Sequence, residues 1–345
     1  MTKSSTKVTA LDVAKRAGVS QPTVSRVFSR GSMVRKSVRE KVEAAARDLG
    51  YMPNTLARSL ITGKSRTIGV VVAYLNNPFY PEALEKLSAS LNAKNYHISI
   101  FFAANLDDEV DPVIEKLLAQ QVDGMILASV SISNKLSQRL NEVGIPFVLF
   151  NRGQLGDNIA SVTAANYSGG RKAAEFLVAA GHSRIAHISG WQKSLNGQQR
   201  QAGFTDYLNQ QGMEAFACID GEFSREKAAQ VTRDLFAGDK KPDAIFVGND
   251  HMAFAVLETL KTELRLNVPN DVSLIGYDDV QMASWKTFDL TTLRQPANRM
   301  VEATTSMLLN MIEDPATLRQ KIEIESELIV RGSARIPDNW PKSEK

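Results

Sequence analysis

The sequence predicts a small all-α head followed by an α/β core of two lobes with parallel sheets. Three observations lead to this prediction. At 345 residues the chain is too long for one ordinary domain. Its first 65 residues contain short helical patterns separated by turn residues. From Thr67 onward, short apolar runs alternate with amphipathic stretches, and this series restarts at Ile185, which indicates two similar units.

The composition is that of a globular protein without a membrane span. Hydrophobic residues make up 43% of the chain and charged residues 23%, and no run of about 18 apolar residues occurs. Met1 to Lys7 are polar and lack an apolar signal segment, so we expect a cytoplasmic protein. The single Cys218 excludes an intramolecular disulfide, and we expect it to be a small buried residue.

Positive charge is concentrated in the head. The whole chain carries a formal net charge of +3, but residues 1–65 contain 13 Lys and Arg against 4 Asp and Glu. The rest of the chain has an excess of acidic residues. A basic head on a mildly acidic body is typical of a module that contacts a phosphate backbone, although a merely solvated basic surface would have the same composition.

The head begins with two closely joined helical patterns. Thr9 offers a hydroxyl to cap the first helix, and Asp12 lies three residues further on, as in a capping box. Gly18 ends this helix, and Ser20 is placed to cap a second one with Pro22 in its first turn. Two helices joined this tightly predict a helix-turn-helix unit.

The second helix divides into an inner and an outer face. Val24, Val27 and Phe28 share one side at spacings of three and four. The residues that point outward, and that would read DNA, are Gln21, Pro22, Ser25, Arg26 and Ser29. A third helix follows, with an inner stripe of Val38, Val42, Ala45 and Leu49 and with Gly50 as its terminator.

The order of these residues resembles the heads of the LacI/GalR family of bacterial repressors. The matching positions are Thr9, Asp12-Val13-Ala14, Ala17-Gly18-Val19-Ser20, Thr23-Val24-Ser25-Arg26-Val27, Val42, Ala45, Leu49-Gly50-Tyr51, Pro53-Asn54 and Ala57-Arg58-Ser59-Leu60. Two positions depart from the family pattern, because Arg35 stands where a serine usually caps the third helix and Val38 where threonine is usual. We therefore expect a weaker or shifted start of that helix.

The resemblance implies a sequence-specific, DNA-binding transcriptional regulator of the repressor type, with double-stranded operator DNA as its partner. Gln21 and Pro22 match the positions that select the operator, and Arg26 would reach bases or, alternatively, clamp a phosphate. Pro22 can offer only shape or methyl contact, so direct readout falls to Gln21 and Arg26. The full set of candidate DNA contacts is Thr9, Ser20, Gln21, Pro22, Thr23, Ser25, Arg26, Asn54, Arg58 and Leu60.

Residues 54–66 are expected to form a hinge helix and linker between a head of residues 1–53 and a core of residues 67–345. Seven residues from Asn54 to Leu60 are too few for an isolated helix in water, so this helix should form only on DNA. By the resemblance, Leu60 is a wedge that enters the minor groove and kinks the duplex. The alternative is a linker leucine that packs on the core.

Strands and helices alternate through the core. Strands are predicted at Ile68 to Ala73, Ile98 to Ala103, Met125 to Ala128 and Phe147 to Phe150, and in a second set at Ile185 to Ser189, Ala244 to Val247 and Val272 to Gly276. We expect lobe 1 to span about 67–164 and 296–323, and lobe 2 about 165–295 and 324–338. Ligands of open parallel sheets bind beyond the carboxyl ends of the strands, so a cleft is expected there.

The family resemblance extends through the core. It covers Asn77-Pro78-Phe79, Gly181-His182, Arg200 with Gly203-Phe204, Asn249-Asp250, Gly276-Tyr277-Asp278-Asp279 and Leu290-Thr291-Thr292. It implies a periplasmic-binding-protein-like sensor of a small-molecule effector. The candidate effector contacts are Phe79, Tyr80, Asn151, Arg200, Asn249 and Asp278. An aromatic wall with a few charged and amide groups suits a sugar or a sugar derivative.

Several of these positions leave alternatives open. We expect Asp250 to cap the following helix and Asn249 to contact the effector, whereas Asp278 could equally be paired internally and Asp279 should be structural. Asn151 replaces an acid that is common in the family, and Ala165 replaces an aspartate. A neutral Asn151 beside Arg200 would tolerate a sugar acid better, which keeps that class of effector open.

Other classes of protein fit the sequence less well. The chain has no nucleotide-binding glycine fingerprint and no G-x-S-x-G elbow, and His97, His182, His187 and His251 lack metal-ligand spacing. We therefore expect no catalysis, no metal and no cofactor. A sugar-binding transport protein would share the core but would need an export signal and no basic head. A corepressor-dependent sensor of a nucleobase type is the other alternative.

Assembly and switching follow from the expected partner. Operators with two-fold symmetry reflect two-fold proteins, so we expect a homodimer on a near-palindromic site. No heptads follow Ser333, so a terminal coiled coil is not expected. We expect the effector to change the angle between the lobes and thereby the attachment points of the hinges; either induction or corepression is consistent with this linkage.

Overall fold

Two compact units make up the chain, and they divide between Ser65 and Arg66. The structure is a computed structural model that describes residues 8–28, 33–52, 64–103, 110–130, 132–156, 158–338 and 340. The predicted hinge residues Asn54, Arg58 and Leu60 lie outside the described residues, as does Ser29.

The head has the three helices that the sequence predicts, α1 (Ala10–Ala17), α2 (Gln21–Val27) and α3 (Lys36–Leu49). The predicted capping box of α1 is present, because Thr9 Oγ1 accepts from the Asp12 amide and the Asp12 carboxylate accepts from the Thr9 amide at 2.9 Å. Gly18 and Gly50 end α1 and α3 in the left-handed conformation, with φ of 67° and 66°. A glycine adopts this conformation without the steric cost of a Cβ atom.

The starts of α2 and α3 lack side-chain caps. Ser20 occupies the cap position of α2 as predicted, but its hydroxyl is hydrogen bonded to the Thr23 hydroxyl at 2.9 Å instead of capping a backbone amide. Pro22 explains part of this difference, since it removes one of the N–H groups that a cap would bind. Arg35 stands at the cap position of α3 and makes no capping hydrogen bond, as its replacement of serine led us to expect.

A small apolar core holds the three helices of the head together. Its buried members are Val13, Ala14, Val24, Val27, Val42, Ala45 and Ala46, and Phe28, Val38, Leu49 and Tyr51 pack against them. Arg39 of α3 also donates to the Val27 carbonyl at the end of α2, over 3.0 Å. The inner faces predicted for α2 and α3 are therefore the faces that pack.

The core contains two six-stranded sheets. The first is formed by β1 (Thr67–Val72), β2 (His97–Phe102), β3 (Gly124–Ala128), β4 (Phe147–Phe150), β5 (Ala160–Ala164) and β11 (Lys321–Ile324). The second is formed by β6 (Ile185–Ser189), β7 (Ala217–Asp220), β8 (Ala244–Val247), β9 (Ser273–Asp278), β10 (Thr291–Arg294) and β12 (Glu327–Ile329). We call the units built on these sheets lobe 1 and lobe 2.

Helices connect most of the successive strands of the core. They are α4 (Phe79–Ala93), α5 (Val110–Leu118), α6 (Asn134–Val143), α7 (Asn166–Ala179), α8 (Leu195–Gln210), α9 (Arg225–Ala237), α10 (Asp250–Glu258) and α11 (Ala297–Glu313). A π-helical turn, Thr259–Glu263, continues α10, and a 3-10 turn spans Gln281–Ser284. No helix in the described part of the chain is both long enough and apolar enough to cross a bilayer.

The two sheets have equivalent strand orders. Lobe 1 has the strand order β2-β1-β3-β4-β5-β11, and lobe 2 has β7-β6-β8-β9-β10-β12. The pairing is parallel except between β10 and β12. The predicted fold class, an all-α head with a two-lobed α/β core, is confirmed.

The chain passes between the lobes three times. It leaves lobe 1 after β5, returns after β10 to form α11 and β11, and crosses again to add β12 to lobe 2. In lobe 1, α11 packs against α4 and against β3, β4 and β5. The sequence-based expectation for Cys218 was wrong, because it lies in the edge strand β7 and is exposed.

Candidate functional site

A cavity lies between the lobes, at the carboxyl ends of both sheets. The space open to the centre of a water molecule is about 30 Å³, within about 400 Å³ of non-atom space that includes open solvent. Its lining contains aromatic, amide, carboxylate and guanidinium groups, contributed by Tyr74, Asn77, Tyr80, Ser129, Asn151, Arg152, Asn196, Arg200, Phe223, Asn249, Asp278 and Gln295. Ligands of parallel α/β sheets bind at this edge.

Five of the six residues that the sequence singles out for an effector line this cavity: Tyr80, Asn151, Arg200, Asn249 and Asp278. Phe79 does not. Its buried ring stacks on Phe150 at a centroid distance of 6.3 Å and packs edge-on against Tyr80. It borders a second cavity, beside the start of α11. Phe79 thus supports the cavity wall from behind instead of lining it.

Asp278 is held at the base of the cavity by two amide side chains. Its Oδ2 accepts from Asn77 Nδ2 at 3.0 Å and its Oδ1 from Gln295 Nε2 at 2.6 Å. Asp278 is only 3% exposed, and burial raises the pKa of its carboxyl, against the lowering effect of the Arg200 charge. Asp278 is therefore paired internally and also lines the cavity, whereas its contact with an effector stays a prediction.

Asp279 faces away from the cavity. Its carboxylate forms ion pairs with Arg294 and with Arg331, each at 2.6 Å. Asp278 and Asp279 have φ values of 136° and 57°, a region that L residues rarely occupy. The two adjacent carboxylates have separate partners, amide side chains for Asp278 and arginines for Asp279. The structural role expected for Asp279 agrees with these ion pairs.

The helix cap at the start of α10 differs from the expectation. Asn249, and not Asp250, is the capping residue, because Asn249 Oδ1 accepts from the Met252 amide at 2.9 Å. Asp250 lies in the first turn and is fully buried, where it accepts from the Thr292 hydroxyl at 2.6 Å and from the Val280 amide at 3.1 Å. Burial and the nearby Asp278 raise the pKa of this carboxyl.

Arg200 is positioned by the close approach of two helices. A Cβ atom on Gly170 of α7 would overlap the Arg200 carbonyl oxygen, so only glycine permits this spacing. The Arg200 guanidinium lies 3.5 Å from the centre of the Tyr277 ring and donates to Asn166 Oδ1 and the Gly248 carbonyl. Neutral acceptors and a ring face thus fix the orientation of its planar group.

Lobe 1 supplies the opposite wall. Asn151, with φ of 52°, donates from Nδ2 to the Tyr80 hydroxyl at 3.3 Å. Among the described residues its buried Oδ1 has no hydrogen-bond partner. Arg152 donates to the Ser129 carbonyl at 2.7 Å, and its guanidinium lies 5.8 Å from the centre of the Trp191 ring of lobe 2. Burial raises the pKa of Tyr80, which keeps its hydroxyl protonated.

Sequence reasoning missed several lining residues, most clearly Tyr74, Asn196, Phe223 and Gln295. Three of them follow strands β1, β7 and β10, so the carboxyl-end rule could have found them. Phe223 and its neighbour Glu222 have φ values of 54° and 55°, and Gly190 leaves room for the Phe223 ring. The Tyr74 hydroxyl also donates to the Phe223 carbonyl across the cavity.

The second candidate surface is the outer face of α2. Gln21, Pro22, Ser25 and Arg26 are exposed there, and Thr23 is half-buried. The first turn of α2 contains no acidic residue. Thr9 and Ser20 are exposed at the starts of α1 and α2, respectively, with their hydroxyls engaged as described above. An exposed helix face with this composition can approach a nucleic acid without repelling its phosphates.

The described part of the chain contains no group of three or more His, Cys, Asp and Glu that could hold a metal ion. His187 is buried between Phe204 and Phe246, and its Nδ1 is 2.9 Å from the Phe246 carbonyl oxygen. Burial lowers the pKa of this ring to about 4. His187 is therefore a neutral residue of the lobe 2 interior.

An exposed basic helix-turn-helix head joined to a two-lobed binding core defines a DNA-binding transcriptional regulator. Comparison with known proteins gives the family. Residues 9–54 match the family described as "Bacterial regulatory proteins, lacI family". Residues 174–334 match the family described as "Periplasmic binding protein-like domain". The chain belongs to the LacI family, which confirms the resemblance and the regulatory function. It is a cytoplasmic protein, as this family is.

Three known proteins illustrate the similarity. The ribose operon repressor of Escherichia coli strain K12 is 31% identical over 332 residues, which cover 94% of this chain and 99% of that protein. A lac repressor dimer bound to operator and an anti-inducer has a TM-score of 0.85 at 28% identity, over 95% of this chain and 99% of the other. A CelR–cellobiose complex has a TM-score of 0.72 at 30% identity, over 95% and 100%.

Proposed function

We propose that this regulator is a repressor whose affinity for its operator is controlled by a sugar, or by a sugar derivative such as a sugar acid, bound in the cavity between the lobes. One observation carries the proposal: both lobes contribute aromatic rings and hydrogen-bond donors and acceptors to the lining of the cavity. A polyol needs both, since its ring faces are apolar and its hydroxyls must be paired when they are buried.

The proposed effector contacts have distinct chemical roles. Asp278 and the Oδ1 of Asn151 accept hydrogen bonds from hydroxyls, and Arg200 and the Nδ2 of Asn249 donate them. Tyr80 closes one side, joined by Tyr74 and Phe223, while Phe79 packs behind Tyr80. The names of two similar proteins, a ribose operon repressor and a complex of CelR with cellobiose, support a sugar.

The proposed DNA contacts lie on the head. Gln21 and Arg26 read base edges in the major groove, with Pro22 in shape contact, and Thr9, Ser20, Thr23 and Ser25 contact the backbone around them. Beyond the described residues, we assign operator contacts to Asn54, Arg58 and Leu60 as well, with Leu60 as the minor-groove wedge. Residues 1–53, 54–66 and 67–345 serve as head, hinge and core in this proposal.

The assembly proposed is a homodimer on a near-palindromic operator, since one head offers too little surface for gene-level specificity. The operator-bound lac repressor dimer, to which this chain is similar, supports that assembly. We assign no catalysis to the chain, because the family consists of DNA-binding regulators. Effector binding shifts the balance between two lobe arrangements, and the sign of the effect decides between induction and corepression.

The decisive experiment has two stages. A thermal-shift screen of D-ribose, cellobiose, D-gluconate, D-glucuronate and adenine identifies a compound that raises the melting temperature, because a ligand of the native state stabilises it. Titration of a genomic operator duplex, with and without that compound, then measures the coupling. A rise in melting temperature with sugars or sugar acids, and a change in operator Kd, are expected. Stabilisation by adenine alone would contradict the sugar proposal.

A further inference from the structure

Asn196, in the first turn of α8, joins the two lobes through both atoms of its side-chain amide. Its Nδ2 donates to the Asn151 carbonyl at 3.0 Å, and its Oδ1 accepts from the Gly153 amide at 3.1 Å. Asn196 is 5% exposed. Both of its partners are backbone groups of the loop that follows β4, so the two bonds bracket the peptide segment that carries Arg152.

The loop and the helix are fitted closely at this point. A Cβ atom on Gly153 would lie 2.9 Å from Leu195 Cδ2, the residue before Asn196. Ser194 caps α8 with its hydroxyl, which accepts from the Gly197 amide at 3.1 Å. The first turn of α8 is therefore well ordered by its cap, and the lobe 1 loop packs directly against it.

The same helix and the same loop both line the cavity. Arg200 follows Asn196 by one helical turn, and both face the cavity, as residues four apart on a helix share a face. On the loop side, Asn151 offers its Oδ1 to the cavity without another partner among the described residues. A ligand that bonds to Asn151 and Arg200 therefore bridges the two elements that Asn196 already ties together.

We infer that Asn196 is a positioning residue that couples effector binding to the arrangement of the lobes, by making the loop of Asn151, Arg152 and Gly153 move as one body with α8. This inference rests on the proposed effector role of the cavity. An amide suits the task because it presents one donor and one acceptor, which match a backbone carbonyl and a backbone N–H. A side chain with only a donor or only an acceptor can form only one of these two hydrogen bonds. We call the pair of hydrogen bonds from Asn196 to Asn151 and Gly153 the Asn196 joint.

Hydrogen–deuterium exchange, measured without any effector, tests whether the Asn196 joint is formed. In Asn196→Ala the amide exchange of residues 151–156 should rise roughly 2- to 150-fold, the range set by loss of one or two hydrogen bonds. Asn196→Asp keeps the acceptor for Gly153 but places a carboxylate oxygen against the Asn151 carbonyl oxygen, so it should raise the exchange as well. Asn209→Ala, exposed near the other end of α8, is the matched control and should leave this segment unchanged.

Operator titration in the same full-length proteins tests the coupling. Without added small molecule, Asn196→Ala should change the operator Kd by about threefold or more, whereas Asn209→Ala should not. Unchanged exchange of residues 151–156 would show that the joint is not formed. Raised exchange with an unchanged Kd would reduce Asn196 to a structural residue and overturn the inference. Absence of specific DNA binding by the unaltered protein would instead refute the proposed function.

Discussion

The Nδ2 of Asn77 donates to Asp278 Oδ2 over 3.0 Å, and so links the loop after β1 in lobe 1 to the end of β9 in lobe 2. Gln295, in the crossing that follows β10, donates to the other carboxylate oxygen. The Asp278 carboxylate therefore receives one hydrogen bond from lobe 1 and one from a segment that connects the lobes. A change at this carboxylate should affect both the cavity and its closure.

Asp278→Asn should weaken effector binding by at least tenfold. An asparagine must turn an N–H toward Asn77 or Gln295, so one of the two bonds becomes a contact between donors, and a charged acceptor for the effector is lost. Hydrogen bonds to charged groups contribute about 1.5–3 kcal/mol. Titration with the compound that stabilises the unaltered protein measures the Kd. Asp239→Asn, at an exposed loop position, should retain the original affinity.

Gln21→Ala should reduce affinity for the specific operator by about five- to a hundredfold and leave binding to a random duplex nearly unchanged. The reason is that a base contact carries discrimination, about 1–3 kcal/mol, whereas phosphate contacts act on every sequence. Titrations of both duplexes at several salt concentrations separate the two effects. An equal loss on both duplexes would mean that Gln21 contacts the backbone and does not read a base.

Gly170→Ala should destabilise the core by about 1–3 kcal/mol or abolish folding, because the new methyl group would meet the Arg200 carbonyl oxygen and force α7 and α8 apart. Urea unfolding of the full chain measures the loss. Gly238→Ala is the matched control, since the nearest atom to a Cβ there is 3.8 Å away. If both variants unfolded at the same urea concentration, the close packing of α7 on α8 would be wrong.

Acidification should destabilise the protein through His187. Burial lowers its folded pKa to about 4, below the unfolded value of about 6.5. Between these values the unfolded chain binds the extra proton, so stability is lost as pH falls from about 6.5 toward 4, by about 2 kcal/mol from pH 7 to pH 5.

Unfolding free energies at pH 7 and pH 5 test this effect. His187→Gln should remove about that much of the difference, whereas His97→Gln, at an exposed position, should leave it intact. A difference that persists in full in His187→Gln would assign the pH dependence to other groups, such as His251, whose pKa burial also lowers to about 4.

Much of the fold was predictable because apolar runs in a parallel sheet are continuous. Phe147 to Phe150, Ile185 to Ser189 and Ala244 to Val247 are strands with the predicted bounds, and all three are fully buried. The first and last residues of other strands, such as Thr67 in β1 and Asp278 in β9, were missed because polar residues there still pair in the ladder.

The cavity was predictable where a motif or a strand end marked it, and less so where tertiary contacts decided. Asn249 and Asp250 are both plausible caps by sequence. The outcome depends on Thr292, which lies 42 residues from Asp250 and draws its carboxylate into the interior. Phe79 points away from the cavity for a similar reason, since Phe150 on β4 receives its ring. Neither contact is visible as a local pattern.

The position of α11 and β11 late in the chain affects how lobe 1 folds during translation. While the ribosome synthesises the chain, the segments that fill lobe 1 from residue 67 to 164 emerge first, yet α11 and β11 follow only after most of lobe 2. Lobe 1 cannot complete its fold until α11 and β11 have been synthesised, and until then the surface that α11 will cover remains exposed to water. A chain that terminates before Ile324 would leave both lobes incomplete, because β11 of lobe 1 and β12 of lobe 2 would be missing or cut short. Dependence on chaperones during translation should be greatest between the synthesis of β5 and the synthesis of β11.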